Sequence, residues 1–266
     1  MVKIVEINTI EEASKMITEQ KYREDLDRFR SHYIYRGMPD VSFTLTTSLS
    51  RNCKEHKKEL EPAILKNFTK YAALEDSSIE RSVWRQMILG QHHGLPTRLL
   101  DWSHSPLVGL HFSVTENDMD EMEDHDSVIW RIDMAELHNL LPAKYQAKMD
   151  EEKTIIFSVD KFNEICPTIN QYDLDMGSSA MAIIEPPSID RRIINQYSFF
   201  SIVPDEMASV EDFLENNTEH TKKYVVNRKV RWQVRDMLDQ LNISERIVYP
   251  GLDGLSKWLG RHYFVK

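Results

Sequence analysis

Residues 91–102, QHHGLPTRLLDW, constrain the fold more than any other stretch of this chain. Two histidines, an arginine, an aspartate and a tryptophan stand around one glycine and one proline, and an apolar run over residues 106–114 follows at once. Turns are normally short and polar. A bend that also carries Leu99, Leu100 and Trp102 is half-buried, and its ionisable groups then need partners. Arg98 and Asp101, three residues apart, form the pair expected to staple the bend, because a buried guanidinium requires a carboxylate. The same pair could equally orient a ligand.

Helical and strand periods alternate around this bend. Residues 2–7 alternate as a strand, and Thr9 caps a helix expected to run to about Arg30. Tyr33, Ile34, Tyr35, Arg36 and Gly37 form an aromatic strand ending in Arg-Gly. Residues 54–90 repeat Leu60, Ile64, Phe68, Tyr71 and Leu74, then Val83, Met87 and Ile88, at helical spacing. The acidic residues 116–126 are expected to be a solvated connection. Strands are expected at 127–133, 180–185, 199–203 and 224–226, with helices near 231–242 and 252–262, while residues 134–177 show no strong period. There is no internal repeat and no Gly-rich boundary, so the expectation is one α+β domain over residues 1–266, with a lead-in of 1–30 and a core of 31–266.

Charge and motif content exclude several classes. A net charge of -10 leaves no electrostatic footprint for duplex binding, so a nucleic-acid partner is not expected. Cys53 and Cys166 are far apart and support neither a disulfide framework nor a cysteine zinc site. The N-terminal residues lack the apolar core of a signal peptide and no run reaches membrane-spanning length, so the expected compartment is the cytoplasm, with no membrane partner. Walker A, GxGxxG and GxSxG motifs are all missing.

His92, His93, His104 and His111 lie close in sequence, but none has zincin spacing or matching carboxylates, and no metal is expected. They are read as hydrogen-bonding groups or pocket walls. Acid–base work on a phosphodiester by His92 and His93 beside Arg98 is a further reading, opposed by the net charge. Arg36, at a strand end beside a glycine that permits close approach, suits a pyrophosphate or a ribose, or else a surface ion pair. Gln196, before a strand, can read a ribose hydroxyl or cap a turn.

Several segments together resemble the FRG domain family: Tyr35-Arg36-Gly37, Ser48-Leu49-Ser50-Arg51, residues 91–102, residues 105–112, Arg192-Ile193-Ile194-Asn195-Gln196, and residues 249–254. Tyr35 stands where the pattern often has Phe, Met38 where Gln is common, and His111 where Tyr is more usual. The resemblance implies a bacterial stress or anti-phage defence protein. Three segments, Tyr35-Arg36-Gly37, residues 109–113 and residues 195–200, are in that order also similar to the strand-end Arg-Gly, the middle element and the late strand opening of ADP-ribosyltransferases. That likeness implies mixed helices around a small split antiparallel sheet, and NAD as the ligand. It implies Arg36, in the Tyr35-Arg36-Gly37 strand end, and His111 as cofactor-binding residues and Arg36 with Gln196 as catalytic ones; His92 and His93 of the bend are second-line candidates, His92 for cofactor binding and His93 for catalysis. Gln196 would take the place of the catalytic glutamate. A toxin acting as ADP-ribosyltransferase or NAD glycohydrolase, with a protein target, follows from this likeness; a non-enzymatic module that recognises a phage or host component is the alternative.

Overall fold

The computed structural model, which describes residues 2–74, 79 and 82–266, gathers most strand-period segments into one eight-stranded sheet. The strands are β1 (Lys3–Ile7), β2 (Tyr22–Arg23), β3 (Arg28–Phe29), β4 (Tyr33–Met38), β5 (Leu99–Ser103), β6 (Ser127–Asp133), β7 (Phe157–Ser158), β8 (Ile183–Glu185), β9 (Ser198–Ile202) and β10 (Lys222–Val226). Their order is β1-β10-β6-β4-β5-β9-β8-β7, with β2 and β3 forming a separate hairpin. The sheet is antiparallel except at its two edges, where β1 runs parallel to β10 and β7 to β8. The expected small antiparallel sheet is therefore too small and too uniform. Short strands such as β7 and β8 carry no period-two signal, and parallel pairing depends on long crossovers that no local pattern encodes.

The first helix, Ile10–Thr18, starts where expected, with the Thr9 side chain accepting from the Glu12 amide. It stops at Thr18 rather than Arg30. Glu19 leaves the helix in extended conformation, and its carboxylate reaches Lys222, Arg131 and Tyr224 on the sheet. The featureless stretch 134–177 holds four helices, Met134–Leu140, Ala143–Glu152, Val159–Ile165 and Ile169–Met176. Each is too short to display a period, but Asp133, Ser158 and Thr168 cap three of them in the usual way. The expected helical stretch 54–90 contains helices Lys57–Ala72 and Val83–His92; residues 75–78, 80 and 81 lie outside the described residues. The acidic connection is partly packed, since Met122 is buried and Glu116 pairs with the buried Arg231.

Both faces of the central strands are covered. Tyr33, Tyr35 and Ile129 join a core with helices Ile10–Thr18, Pro106–Ser113 and Arg231–Gln240. Their strand neighbours Ile34, Val128, Trp130 and Ile132 join a second core on the opposite side, as strand alternation requires. A third core, centred on Trp84, Phe162 and Tyr172, packs helices Val83–His92, Ala143–Glu152, Val159–Ile165 and Ile169–Met176 against β5, β8 and β9.

One feature of the sheet positions the site. β4 pairs with β6 along its whole length, from Tyr33 opposite Asp133 to Met38 opposite Val128. β5 likewise pairs with β9 from Leu99 to Ser103. Between β4 and β5 there is a single pair, Tyr35 opposite Ser103, and beyond it the two strands diverge. Helix Pro106–Ser113 closes one side of this gap by lying directly on β4, with Ser105 as its cap and Pro106 in its first turn.

Candidate functional site

The gap between β4 and β5 is a cleft of about 240 Å³. Tyr35, Arg36 and Gly37 form one wall, Asp101, Trp102 and Ser103 the opposite wall, and Gln91, Phe112, Arg192, Gln196 and Ser198 complete it. Arg36 fills the missing ladder: its Nη1 donates to the Asp101 carbonyl at 2.7 Å and lies 3.4 Å from Asp101 Oδ2. Gln91, from the end of helix Val83–His92, donates to Asp101 Oδ2 at 2.9 Å. Arg192, from helix Arg191–Asn195, stacks over the Tyr249 ring at 4.9 Å. Among the described residues, the Nε donors of both Arg36 and Arg192 are buried without a partner, as is the Tyr35 hydroxyl. Burial pushes the Tyr35 phenol up, so it stays protonated.

Gln196 stands at the sharp turn between that helix and β9, where Tyr197 takes a left-handed φ of 48°. Such backbone is uncommon outside glycine and collects at functional positions. The Gln196 amide nitrogen donates to the Val248 carbonyl at 3.2 Å, and Ser103 Oγ donates to the Gln196 carbonyl at 2.6 Å. Arg36 and Gln196, expected to act together, do line one cleft.

The histidines do not join them. His93 caps helix Val83–His92 and faces a separate groove of about 1080 Å³. That groove is lined chiefly by Ile64, Phe68, Tyr71, Leu89 and Leu95, whereas the smaller cleft gathers two guanidiniums, a carboxylate and two amides. A few convergent polar groups are what orient a ligand, and on that ground the cleft is the candidate site. His92 Nε2 lies 2.5 Å from Asp190 Oδ2, while Asp190 Oδ1 accepts from Ile193 and caps the helix that carries Arg192. The His92 carbonyl also accepts from Arg192 at 3.4 Å, so His92 braces Arg192 from behind. Burial lowers the His92 pKa, and the neighbouring Asp190 only partly opposes this.

His111 is wholly buried on the far side of helix Pro106–Ser113, where its Nδ1 accepts from Arg235 at 2.7 Å. Burial, reinforced by the Arg235 charge, pushes its pKa down to about 3, so the ring is neutral. The expectation that His111 lines the ligand pocket is corrected: Phe112, one residue and about 100° further round the helix, takes that wall. His104 packs edge-on to Phe199. Among the described residues no three His, Cys, Asp or Glu side chains are gathered as metal ligands.

The Arg98–Asp101 staple is also corrected. Arg98 Nε donates to Glu61 at 2.8 Å and Nη1 to Asp173 at 2.6 Å, with both Arg98 and Glu61 buried. Burial opposes the Arg98 charge, but the bonds and charge of Glu61, joined by Asp173, outweigh it and raise the pKa. Arg98 stands in the bend just before β5 and turns away from Asp101, which lies on the strand itself. Asp101 instead turns to the cleft. Arg192 and the role of Gln91 escaped the sequence reading, although both sit inside the quoted motifs; their shared helical setting carries no signal of which side faces the gap.

The chain is thus an α+β protein whose polar cleft lies where its central sheet parts. Residues 31–122 match the family model of the FRG domain, so the chain carries an FRG domain over that stretch. No curated protein and no solved structure matches it. The matched residues hold Tyr35, Arg36, Gly37, Gln91, Asp101 and Phe112, while Arg192 and Gln196 come from beyond them. Among the described residues no helix is long and apolar enough to cross a membrane.

Proposed function

We propose that the cleft binds an anionic, nucleotide-like small molecule, NAD in the first instance, and acts on it as an ADP-ribosyltransferase or NAD glycohydrolase. The observation that carries this reading is the pair Arg36 and Arg192, two guanidiniums with unused donors on one cleft of an otherwise acidic protein. Guanidinium forks match phosphate geometry and stay charged at every physiological pH. Tyr35, Trp102 and Phe112 offer ring surface beside them. A volume of 240 Å³ is small against the roughly 300–1,000 Å³ of drug-sized ligand sites. An adjoining cavity of about 460 Å³, on the Tyr249 side of Arg192, offers room for the second half of a dinucleotide. An enzyme of this kind consumes a central cofactor, and a toxin in bacterial stress or anti-phage defence is the setting we attach to it.

Calorimetric titration of the purified chain with NAD, combined with a nicotinamide-release assay, tests the reading. NAD is expected to bind, and Arg36→Ala and Arg192→Ala to weaken binding by about ten- to a hundredfold each, the scale of one charge-assisted hydrogen bond. Absence of both binding and release removes the cofactor claim. Binding without release supports the recognition module instead, a reading favoured by one detail: the Gln196 amide is uncharged and tied to Val248.

A further inference from the structure

Among the residues lining the cleft only Asp101 carries a carboxylate, and a chain of side-chain bonds fixes its position. Thr97 is buried, with its amide on Ser48 Oγ at 3.1 Å and its carbonyl accepting from Leu49 at 3.0 Å. Its hydroxyl donates to Gln91 Oε1 at 2.7 Å, which sets the rotation of that amide. Gln91 Nε2 is thereby aimed at Asp101 Oδ2, which also faces Arg36. Both contacts fall on Oδ2, and among the described residues none hydrogen-bonds Oδ1. The carboxylate is half exposed, at 53 %, so a ligand can reach it. A surface carboxylate with no task needs no relay three residues deep; supporting shells of this kind are what hold a reacting group in register.

We infer that Asp101 is the catalytic carboxylate of the site, and that Gln91 and Thr97 are its positioning residues. This rests on the nucleotide reading above and supplies the negative charge that Gln196 lacks. In hydrolysis of NAD, the bond between ribose C1′ and the pyridinium nitrogen breaks, and both electrons pass to the nitrogen, giving neutral nicotinamide. The positive charge left on C1′ and the ring oxygen is stabilised by Asp101. A water oxygen then forms the new bond to C1′, and its proton passes to Asp101 and on to solvent. ADP-ribose, nicotinamide and one proton are the products.

Asp101→Asn, Asp101→Glu and Gln91→Ala are compared with the wild-type chain for NAD affinity and nicotinamide release, with thermal melts confirming that each variant folds. Asp101→Asn is expected to bind NAD no more weakly while releasing nicotinamide about 100- to 1,000-fold more slowly, the usual cost of one transition-state electrostatic contact. Asp101→Glu should recover part of the rate, and Gln91→Ala should lower kcat while leaving KM nearly unchanged. Wild-type turnover by Asp101→Asn overturns the assignment and leaves the nucleotide reading standing. A wild-type chain that binds NAD without turning it over overturns the assignment too and leaves only the binding half of that reading. Failure of the wild-type chain to bind NAD at all overturns both. Should Asp101→Asn not fold, the Gln91→Ala kcat against KM comparison decides.

Discussion

Gly37 is the residue of the aromatic-Arg-Gly strand end for which the structure gives the sharpest requirement. A Cβ placed there would lie 1.9 Å from the Gly109 carbonyl oxygen and 2.6 Å from the Ser113 amide nitrogen. Both are backbone atoms of helix Pro106–Ser113, so no rotamer change can relieve the clash. An ordinary contact begins near 3.4 Å, and the helix would have to retreat by about 1.5 Å. The φ of Gly37 lies outside the left-handed region, so the constraint is space and not backbone conformation. Gly109 is the complementary half of the fit, because its own Cβ would meet Tyr35 Cβ at 2.7 Å. Overpacking a core by one methyl costs about 1–3 kcal/mol, and a clash confined to backbone belongs at the upper end. With roughly 2–4 °C per kcal/mol for a chain near this size, Gly37→Ala is expected to lower Tm by about 6–12 °C. Gly260→Ala is the control: it lies in helix Leu252–His262 with open space around it. Helix propensity alone should there add about 0.8–1.0 kcal/mol and raise Tm by about 2–4 °C. Circular-dichroism melts of both variants suffice. A Gly37→Ala chain melting within experimental error of wild type would refute the packing argument.

Two further expectations concern buried charge. Glu61→Ala strips Arg98 of its closest partner and should cost about 3–5 kcal/mol in denaturant unfolding, whereas the double change Arg98→Met with Glu61→Met should cost less than that single one. A double variant as damaged as the single would show that the ion pair is not the source of the loss. For His111, the folded pKa of about 3 lies below an unfolded value near 6.5, so between those pH values the unfolded chain binds the extra proton. Stability therefore rises with pH through that window and falls by about 1.4 kcal/mol per unit as pH drops below 6.5. Urea unfolding at pH 6.5, 6.0 and 5.5 should give a shallower slope for His111→Gln than for wild type, and equal slopes would contradict the assignment.

Much of the local structure was legible before any coordinates. The Thr9 cap, the aromatic strand over residues 33–37 and the helix-like run from Pro106 all declare themselves through neighbouring side chains and backbone sterics. The stretches misread were those whose local pattern was overruled or silent: the helix beyond Thr18, which ends so that Glu19 can reach β10 and β6, and the short capped helices after Met134. At the site, Arg36 and Gln196 were visible as polar groups at strand ends. Asp101 and Arg98 are close in sequence but turn to different partners, Asp101 to Gln91 and Arg36 and Arg98 to Glu61 and Asp173.

The residues alone determined the FRG-domain match over residues 31–122, the α+β class and the positions of most central strands, because each is written in local sequence pattern. Tertiary structure decided which charges meet. Arg98 finds Glu61 and Asp173 across 37 and 75 residues, and Arg36 reaches Asp101 across 65. Those pairings follow from which strands stay bonded and which diverge. The cleft exists because β4 and β5 share one pair and then part, leaving backbone and side-chain groups that the sheet itself no longer satisfies.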